Sequence, residues 1–441
     1  MTKPQPKLSR RDLLALGLAG SAASLAAGTA TTVAAQPTIP TSARIVILGA
    51  GAAGTALANR LSRRLDGAQI TLVDGRAEHW YQPGLSLVAA GLKPANYVIS
   101  QTTDWLPRGV ELKATWASVI DPEAKRIDLE TGETLTYDYL VVATGLVLDH
   151  GAIDGFDVDL IGTNGIGGLY AGPAYAAKTW EAAAAFVETG GVGLFTRPAT
   201  EMKCAGAPLK HTFLVDDLAR TADTRGRMEL SYCANNQSLF GVPIVAEKVR
   251  MLFGDRGIGA YYSHVLTAIE PRAKVATFAT PEGTVERNYD YLHVIPPQRA
   301  PEVVRQSGLS WADKWTDQGW VEVDKHSLRH QRYDTVFAVG DVAGVPKGKT
   351  AASVKWQVPV VEEQLVAQIA GDRTDVAYNG YTSCPLITRV GRAMLIEFDY
   401  NNDLVPSFPG VIAPLEELWI SWLMKEVALK ATYNSMLRGK A

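Results

Sequence analysis

The segment ARIVILGAGAAGTALANRL, Ala43 to Leu61, constrains the fold most: an apolar run of strand length, glycines at Gly49, Gly51 and Gly54 spaced GxGxxG, then a helical pattern. Glycines so spaced permit a tight turn, close backbone approach to a pyrophosphate, and close packing of helix on strand. QITLVDG follows, ending a second strand at Asp74, where a carboxylate can accept from ribose hydroxyls. Strand, glycine turn, helix and acid in that order describe a dinucleotide-binding unit, which chance glycines do not. Strand and helix patterns keep alternating from Arg44 onward, the mark of an α/β chain with a parallel sheet.

Two later segments bear on which dinucleotide is bound. YDYLVVATG, Tyr137 to Gly145 with Thr144 before the last glycine, reads as a strand and turn, and RYDTVFAVGDVAG contains Gly340 and Asp341. Both resemble fingerprints of the pyridine nucleotide-disulfide oxidoreductase superfamily. That resemblance implies FAD and two Rossmann-like domains, the FAD domain being split around an inserted nucleotide-fold domain. The expected division is 36–159 and 286–385 for the FAD domain, 160–285 for the insertion, and 386–441 for a C-terminal helical region able to contact a membrane. In the insertion the strand GGVGLFTRP is followed by ATEMKCAGAPLK, with no second GxGxxG. Arg197, Pro198 and Cys204 stand where a nicotinamide dinucleotide needs bare backbone, so no NAD(P) site is expected.

Cysteine is scarce, at three residues, too few for a disulfide scaffold, and none has zinc-ligand spacing, so no metal is expected. Cys204 and Cys384 each sit in a setting suited to thiolate chemistry. Lys203 and Lys210 flank Cys204, Gly206 and Pro208 suit a turn opening a helix just beyond it, and Pro385 restrains the backbone after Cys384. Cationic neighbours and helix N-termini lower a thiol's pKa from ~8.5 into the neutral range. Cys233, in MELSYCANNQSLFG, reads as a structural residue at a strand end.

At CAGAPLK, SLFGV, HVIPPQRAPE, KTAASV, GYTSCPL and IEFDY the chain resembles sulfide:quinone oxidoreductases, specifically the mitochondrial-like branch and its bacterial relatives. IPPQRA and the N-terminus also resemble the flavoprotein subunit of flavocytochrome c sulfide dehydrogenase. The first resemblance implies that Cys204 and Cys384 flank the flavin, bridged at rest by a disulfide or an extra sulfur. Sulfide opens the bridge, Cys384 carries the persulfide, and Cys204 is the thiolate facing flavin C4a. A small thiol or sulfite takes the sulfur, and quinone takes the electrons. The second resemblance implies cytochrome c as acceptor and a flavin attached through a cysteine, yet the matching segment EHWYQPGLS has none, so FAD is expected to be non-covalent. A non-catalytic FAD-binding sulfur carrier or redox sensor is the alternative from another class. It predicts slow flavin reduction and no turnover.

Lys349 and Thr350 precede a helical pattern whose first amides favour negative charge at the flavin N1 and O2, and Lys349 would add to that effect. At the other end of the chain, KLSRRDLLALGLAGSAASLAAGTATTVAAQ places Arg10 and Arg11 before an apolar small-residue run that ends at Val33-Ala34-Ala35. This is a twin-arginine export signal over 1–35, which carries folded, cofactor-loaded proteins to the periplasm. The expected seat is periplasmic, including the outer face of the inner membrane. The formal net charge of −3 and the lack of a basic run exclude nucleic acid as a partner. LEELWISWLMKEVALKATYNSMLRGKA mixes tryptophans and leucines with charges at helical spacing, suiting either a bilayer surface or packing on the flavin domain.

Overall fold

The computed structural model describes residues 37–440; the expected export signal at 1–35 lies outside them. Strand β1 (Arg44–Leu48) runs into helix α1 (Ala52–Arg64) and strands β2 (Gln69–Val73), β3 (Val110–Lys113) and β4 (Tyr139–Val142). The run Ile45 to Leu48 is apolar throughout because it is buried in one core together with α1 and with Ile120, Ile127 and Leu129 of a small antiparallel sheet. The turn between β1 and α1 depends on its glycines. Gly49 has φ +103°, and a Cβ on Gly54 would stand 1.9 Å from the Gly49 carbonyl oxygen.

A second parallel sheet follows, built from β5 (Ile166–Gly167), β6 (Gly191–Thr196), β7 (Met228–Cys233) and β8 (Ile258–Tyr261), with helices α2 (Pro173–Thr189), α3 (Ala207–Thr221) and α4 (Pro243–Arg256). Strand β9 (Tyr291–His293) enters it between β5 and β6, giving the order β5-β9-β6-β7-β8. This sheet therefore reaches past the expected limit of 285, because the chain must return through its centre before leaving. Strand β10 (Val336–Ala338) then joins the first sheet, completing the order β10-β4-β1-β2-β3, all parallel.

Helix α5 (Ala351–Ala370) packs on α1, and the hairpin β11 (Thr382–Arg389) and β12 (Arg392–Phe398) packs against α3. The hairpin straddles the expected boundary at 385. Its Cys384, Leu386, Met394 and Ile396 share one buried cluster with Phe195, Leu209 and Phe213 of the second sheet and α3. The chain ends in α6 (Trp419–Leu423), a π-helical turn (Met424–Ala428) and α7 (Leu429–Leu437). Tyr433, Met436 and Leu437 are buried in the first core beside α1, whereas Trp419, Ile420 and Val427 are exposed. The expectation of packing on the first domain thus describes one face of this segment, and the other face is exposed. Among the described residues no helix is long and apolar enough to cross a membrane.

Candidate functional site

Cys204 sits in the turn between β6 and α3, at the carboxyl edge of the second sheet, where open α/β sheets bind ligands. Its φ is +44°, in the left-handed region that costs a non-glycine residue about 1–3 kcal/mol and is concentrated at functional sites. Two backbone hydrogen bonds and one shared tyrosine hydroxyl hold the turn. The Cys204 amide donates to the Lys349 carbonyl at 2.8 Å, and the Ala207 amide to the Cys204 carbonyl at 2.8 Å. The Tyr170 hydroxyl is shared between the carbonyls of Lys203, at 2.7 Å, and Cys204, at 2.9 Å.

Cys384 approaches from the hairpin. Its sulfur lies where a Cβ on Gly206 would be, 2.4 Å from that position, so Gly206 leaves the space the second thiol occupies. The two thiols are free and within hydrogen-bonding reach of each other. The N-terminus of α5 touches both cysteine segments. Besides the Lys349 carbonyl on Cys204, Thr350 shares a hydroxyl hydrogen bond of 2.9 Å with Thr382, two residues before Cys384, and caps α5 through the Ser353 amide.

The electrostatics are unequal. The hydrogen bond from Cys384 holds the Cys204 thiol well below the usual thiol range, helped by the charges of Lys210 and Lys425, while burial opposes. Donating that bond, together with burial, pushes Cys384 well up. The Lys210 ammonium is 3.4 Å from the Cys204 sulfur and is kept charged, the thiolate field outweighing the cost of burial. Lys425, buried on the π-helical turn, donates to the Pro83 carbonyl; burial and then the Lys210 charge bring its pKa down to about 7. Cys233 is fully buried at the end of β7, and burial pushes it up to about 12.

Cys204, Lys203, Lys210 and Lys425 line a cavity whose space, counted with the solvent at its mouth, is about 1380 Å³. Gly51, Thr144, Gly145, Gly340, Asp341 and Lys349 line it too. A smaller cavity, bordered by Gly49, Asp74, Trp116 and Val303, shares Arg76, Thr144 and Leu146 with the first, so the two run on from each other. Gly54 borders neither; it lies under the turn. The elongated space passes the glycine turn and ends at the thiols, as a dinucleotide carrying a redox ring requires. The buried Thr144 hydroxyl has no partner, although both cavities reach this residue. Glycine turn, joined cavities and orphaned hydroxyl fit FAD.

Some placements differ from expectation. Asp74 is buried and already engaged, accepting from the Ala50 amide at 2.7 Å and pairing with Arg76 at 3.0 Å. The Lys349 ammonium donates to the Asp341 and Ala343 carbonyls and lies 3.8 Å over the Trp320 ring, so its charge is spent on the wall of the cavity. Burial lowers Lys349 to about 8 and, against the pull of Lys203 and Lys349, raises the Asp341 carboxyl. Sequence reasoning missed Tyr170, Lys425 and Tyr433. Lys425 carries a faint signal, a charge among WISWLM, but helical spacing assigns such a lysine to the solvent face. The π-helical turn re-aims it, and such turns recur at functional sites.

Residues 43–187 match the family described as pyridine nucleotide-disulphide oxidoreductase. The chain is 33% identical to the mitochondrial sulfide:quinone oxidoreductase of Mus musculus, over 90% of this chain and 86% of that protein. It is 34% identical to the mitochondrial sulfide:quinone oxidoreductase of Dictyostelium discoideum with the same coverage. The solved structure of the sulfide:quinone oxidoreductase of Aquifex aeolicus superposes with a TM-score of 0.75 at 20% identity, covering 90% of this chain and 92% of that one.

Proposed function

The chain belongs to the sulfide:quinone oxidoreductase family, and on that premise we propose that it oxidises sulfide to sulfane sulfur through Cys204 and Cys384 and delivers the electrons to quinone. The observation that carries this reading is the approach of the Cys384 sulfur to the Cys204–Gly206 turn, with the Lys210 ammonium 3.4 Å from the Cys204 sulfur, beside a cavity that passes the glycine turn. In the resting enzyme the two sulfurs are bridged. Hydrosulfide attacks Cys384, a new S–S bond forms there, the bridge breaks, and Cys204 leaves as thiolate. Low-pKa thiols leave faster in such exchanges, so Lys210 and Lys425 favour this direction of opening. Non-covalent FAD, when bound, supplies the two-electron sink next to Cys204.

Within the FAD site, Gly49, Gly51 and Gly54 shape the pyrophosphate turn, and Asp74, whose oxygens accept from the Ala50 and Arg76 amides and the Arg76 guanidinium, borders its ribose end. Thr144, Gly145, Gly340 and Asp341 line the middle of the cavity, and the first turn of α5 beyond Lys349 presents amides to developing negative charge. The persulfide sulfur passes to a small thiol or sulfite, and the bridge reforms as electrons leave the site. We place the two parts of the FAD domain at 36–159 and 294–385, with the inserted unit between them extended to take in β9.

Quinone reaches the site along the C-terminal helices. Lys425, Leu429 and Tyr433 line the cavity, while Trp419 and Ile420, 45% and 41% exposed, face outward from α6 beside them. Aromatic and aliphatic side chains so placed suit peripheral contact with a bilayer. The paired arginines at 10 and 11 support export of the folded protein to the periplasm.

The test mixes FAD-loaded protein anaerobically with sulfide and then with a soluble quinone. Sulfide should bleach the flavin and quinone restore it, while NADH leaves it oxidised. Bleaching by NADH and not by sulfide would overturn the reading. Reoxidation by cytochrome c and not by quinone would move the chain to the flavocytochrome type, and stoichiometric bleaching without turnover to a sulfur carrier or sensor.

A further inference from the structure

Tyr170 lies in the segment before α2, outside both cysteine-bearing elements, yet its hydroxyl ends at the redox turn. Its side chain is nearly buried and lines the cavity, and the Lys203 ammonium lies 5.4 Å over its ring. The hydroxyl has one proton, and the two nearest acceptors are the consecutive carbonyls of Lys203 and Cys204, at 2.7 and 2.9 Å. Two successive carbonyls converge on one donor at Cys204, whose backbone is in the left-handed conformation, with φ +44°. The same conformation places the Cys204 sulfur against Lys210. Without the shared donor, the Lys203 carbonyl would lose its hydroxyl partner and the Cys204 carbonyl would keep only the Ala207 amide, at a residue whose backbone is already strained, and the turn would relax.

We propose that Tyr170 is a positioning residue: its shared hydroxyl hydrogen bond holds the left-handed turn that keeps the Cys204 sulfur in contact with Lys210 and Cys384. It touches neither sulfur itself and acts through the backbone. The groups that set the charge state of Cys204 are Lys210 on α3, Lys425 on the π-helical turn, Cys384 on the hairpin, Lys203 next to it in the turn, and Asp341 across the cavity. The inference rests on the reading of Cys204 as the reactive thiolate, and the experiment separates the two.

FAD-loaded wild type and Tyr170→Phe are reduced with a phosphine and alkylated with iodoacetamide across a pH series, and the rate at Cys204 is followed by mass spectrometry. In wild type the rate should already be on its plateau at neutral pH. In Tyr170→Phe the midpoint should rise by about one unit or more, slowing alkylation roughly ten-fold below the new midpoint while the alkaline plateau stays unchanged. Replacement of Tyr170 by 4-aminophenylalanine, which keeps a donor at the ring tip, should restore the profile. In a Lys210→Met background, Tyr170→Phe should add a smaller shift than it does in the wild-type background.

An unmoved midpoint in Tyr170→Phe overturns the proposal, as does a uniform rate change at every pH, the sign of altered access alone. Failure of 4-aminophenylalanine to restore the midpoint also counts against it, and this arm stands even where the phenylalanine variant loses FAD. An ordinary thiol midpoint in wild-type Cys204 would instead sink the underlying reading of that cysteine.

Discussion

Lys210→Met removes the cation in contact with Cys204 while keeping most of the side chain's volume. At 3.4 Å, and with an effective dielectric constant near 20, a unit charge stabilises a thiolate by about 5 kcal/mol. At ~1.4 kcal/mol per pKa unit, that corresponds to roughly 3–4 units, an upper figure because Lys425 also faces the sulfurs and the Cys384 hydrogen bond remains. A rise of about 2 units in the Cys204 midpoint is therefore expected. A depressed thiol pKa means that the thiolate exists above the folded value, so the variant should form it only at higher pH, toward the ordinary ~8.5. The assay is the ultraviolet absorbance of the thiolate in anaerobically reduced protein, taken as a difference against Cys204→Ser to cancel the flavin. Bleaching by sulfide at neutral pH should slow in parallel, since Cys204 becomes a poorer leaving group. A midpoint shift below about half a unit, with FAD content and melting temperature preserved, would refute the reasoning.

Lys425 allows a stability test. Its folded pKa is depressed to about 7, so between there and the ordinary lysine range the unfolded chain binds more protons and wild-type stability should rise with pH. Lys425→Met should flatten that slope in melts of the reduced protein, and an unchanged slope would contradict the assignment. Gly54→Ala puts a Cβ 1.9 Å from the Gly49 carbonyl oxygen, so the variant should lose FAD on desalting; full retention, read from flavin absorbance, would show that the turn is not the cofactor cradle. Cys384→Ser should abolish flavin bleaching by sulfide, whereas Cys233→Ser, at a fully buried thiol pushed up to about 12, should leave its rate unchanged. Stopped-flow traces of the two variants check both statements.

Much of the fold was legible because its signals are local. The first βαβ unit is written in one contiguous segment, Arg44 to Asp74, where the apolar run, the glycine spacing and the terminal acid all report on neighbouring backbone. The opening of α3 after Cys204 was legible for the same reason, in Gly206 and Pro208. Boundaries were less so: β9 is three residues long and enters the second sheet through pairing with β5 and β6, which no local pattern encodes.

At the candidate site, the residue types and the two cysteines could be read from the chain, but their surroundings could not. Asp74 was legible as an acid at a strand end, not as one already paired with Arg76. Lys349 was legible as a cation before a helix, while its engagement with the Asp341 and Ala343 carbonyls depends on how that loop folds back. Lys425 read as one charge of an amphipathic helix until the π-helical turn directed it inward.

By itself the sequence determined the dinucleotide fold, the candidate thiols and the family, because strand-turn-helix patterns and short motifs act over a few neighbouring residues. Only the tertiary structure decided that Cys204 and Cys384 meet across 180 positions of chain, and that Lys210 and Lys425 face them from a helix and a π-helical turn. It also brought the Tyr170 hydroxyl to the carbonyls of Lys203 and Cys204 in the turn. Thiolate chemistry depends on charges and hydrogen-bond donors within a few ångströms, and proximity of that kind is set by packing, not by sequence spacing.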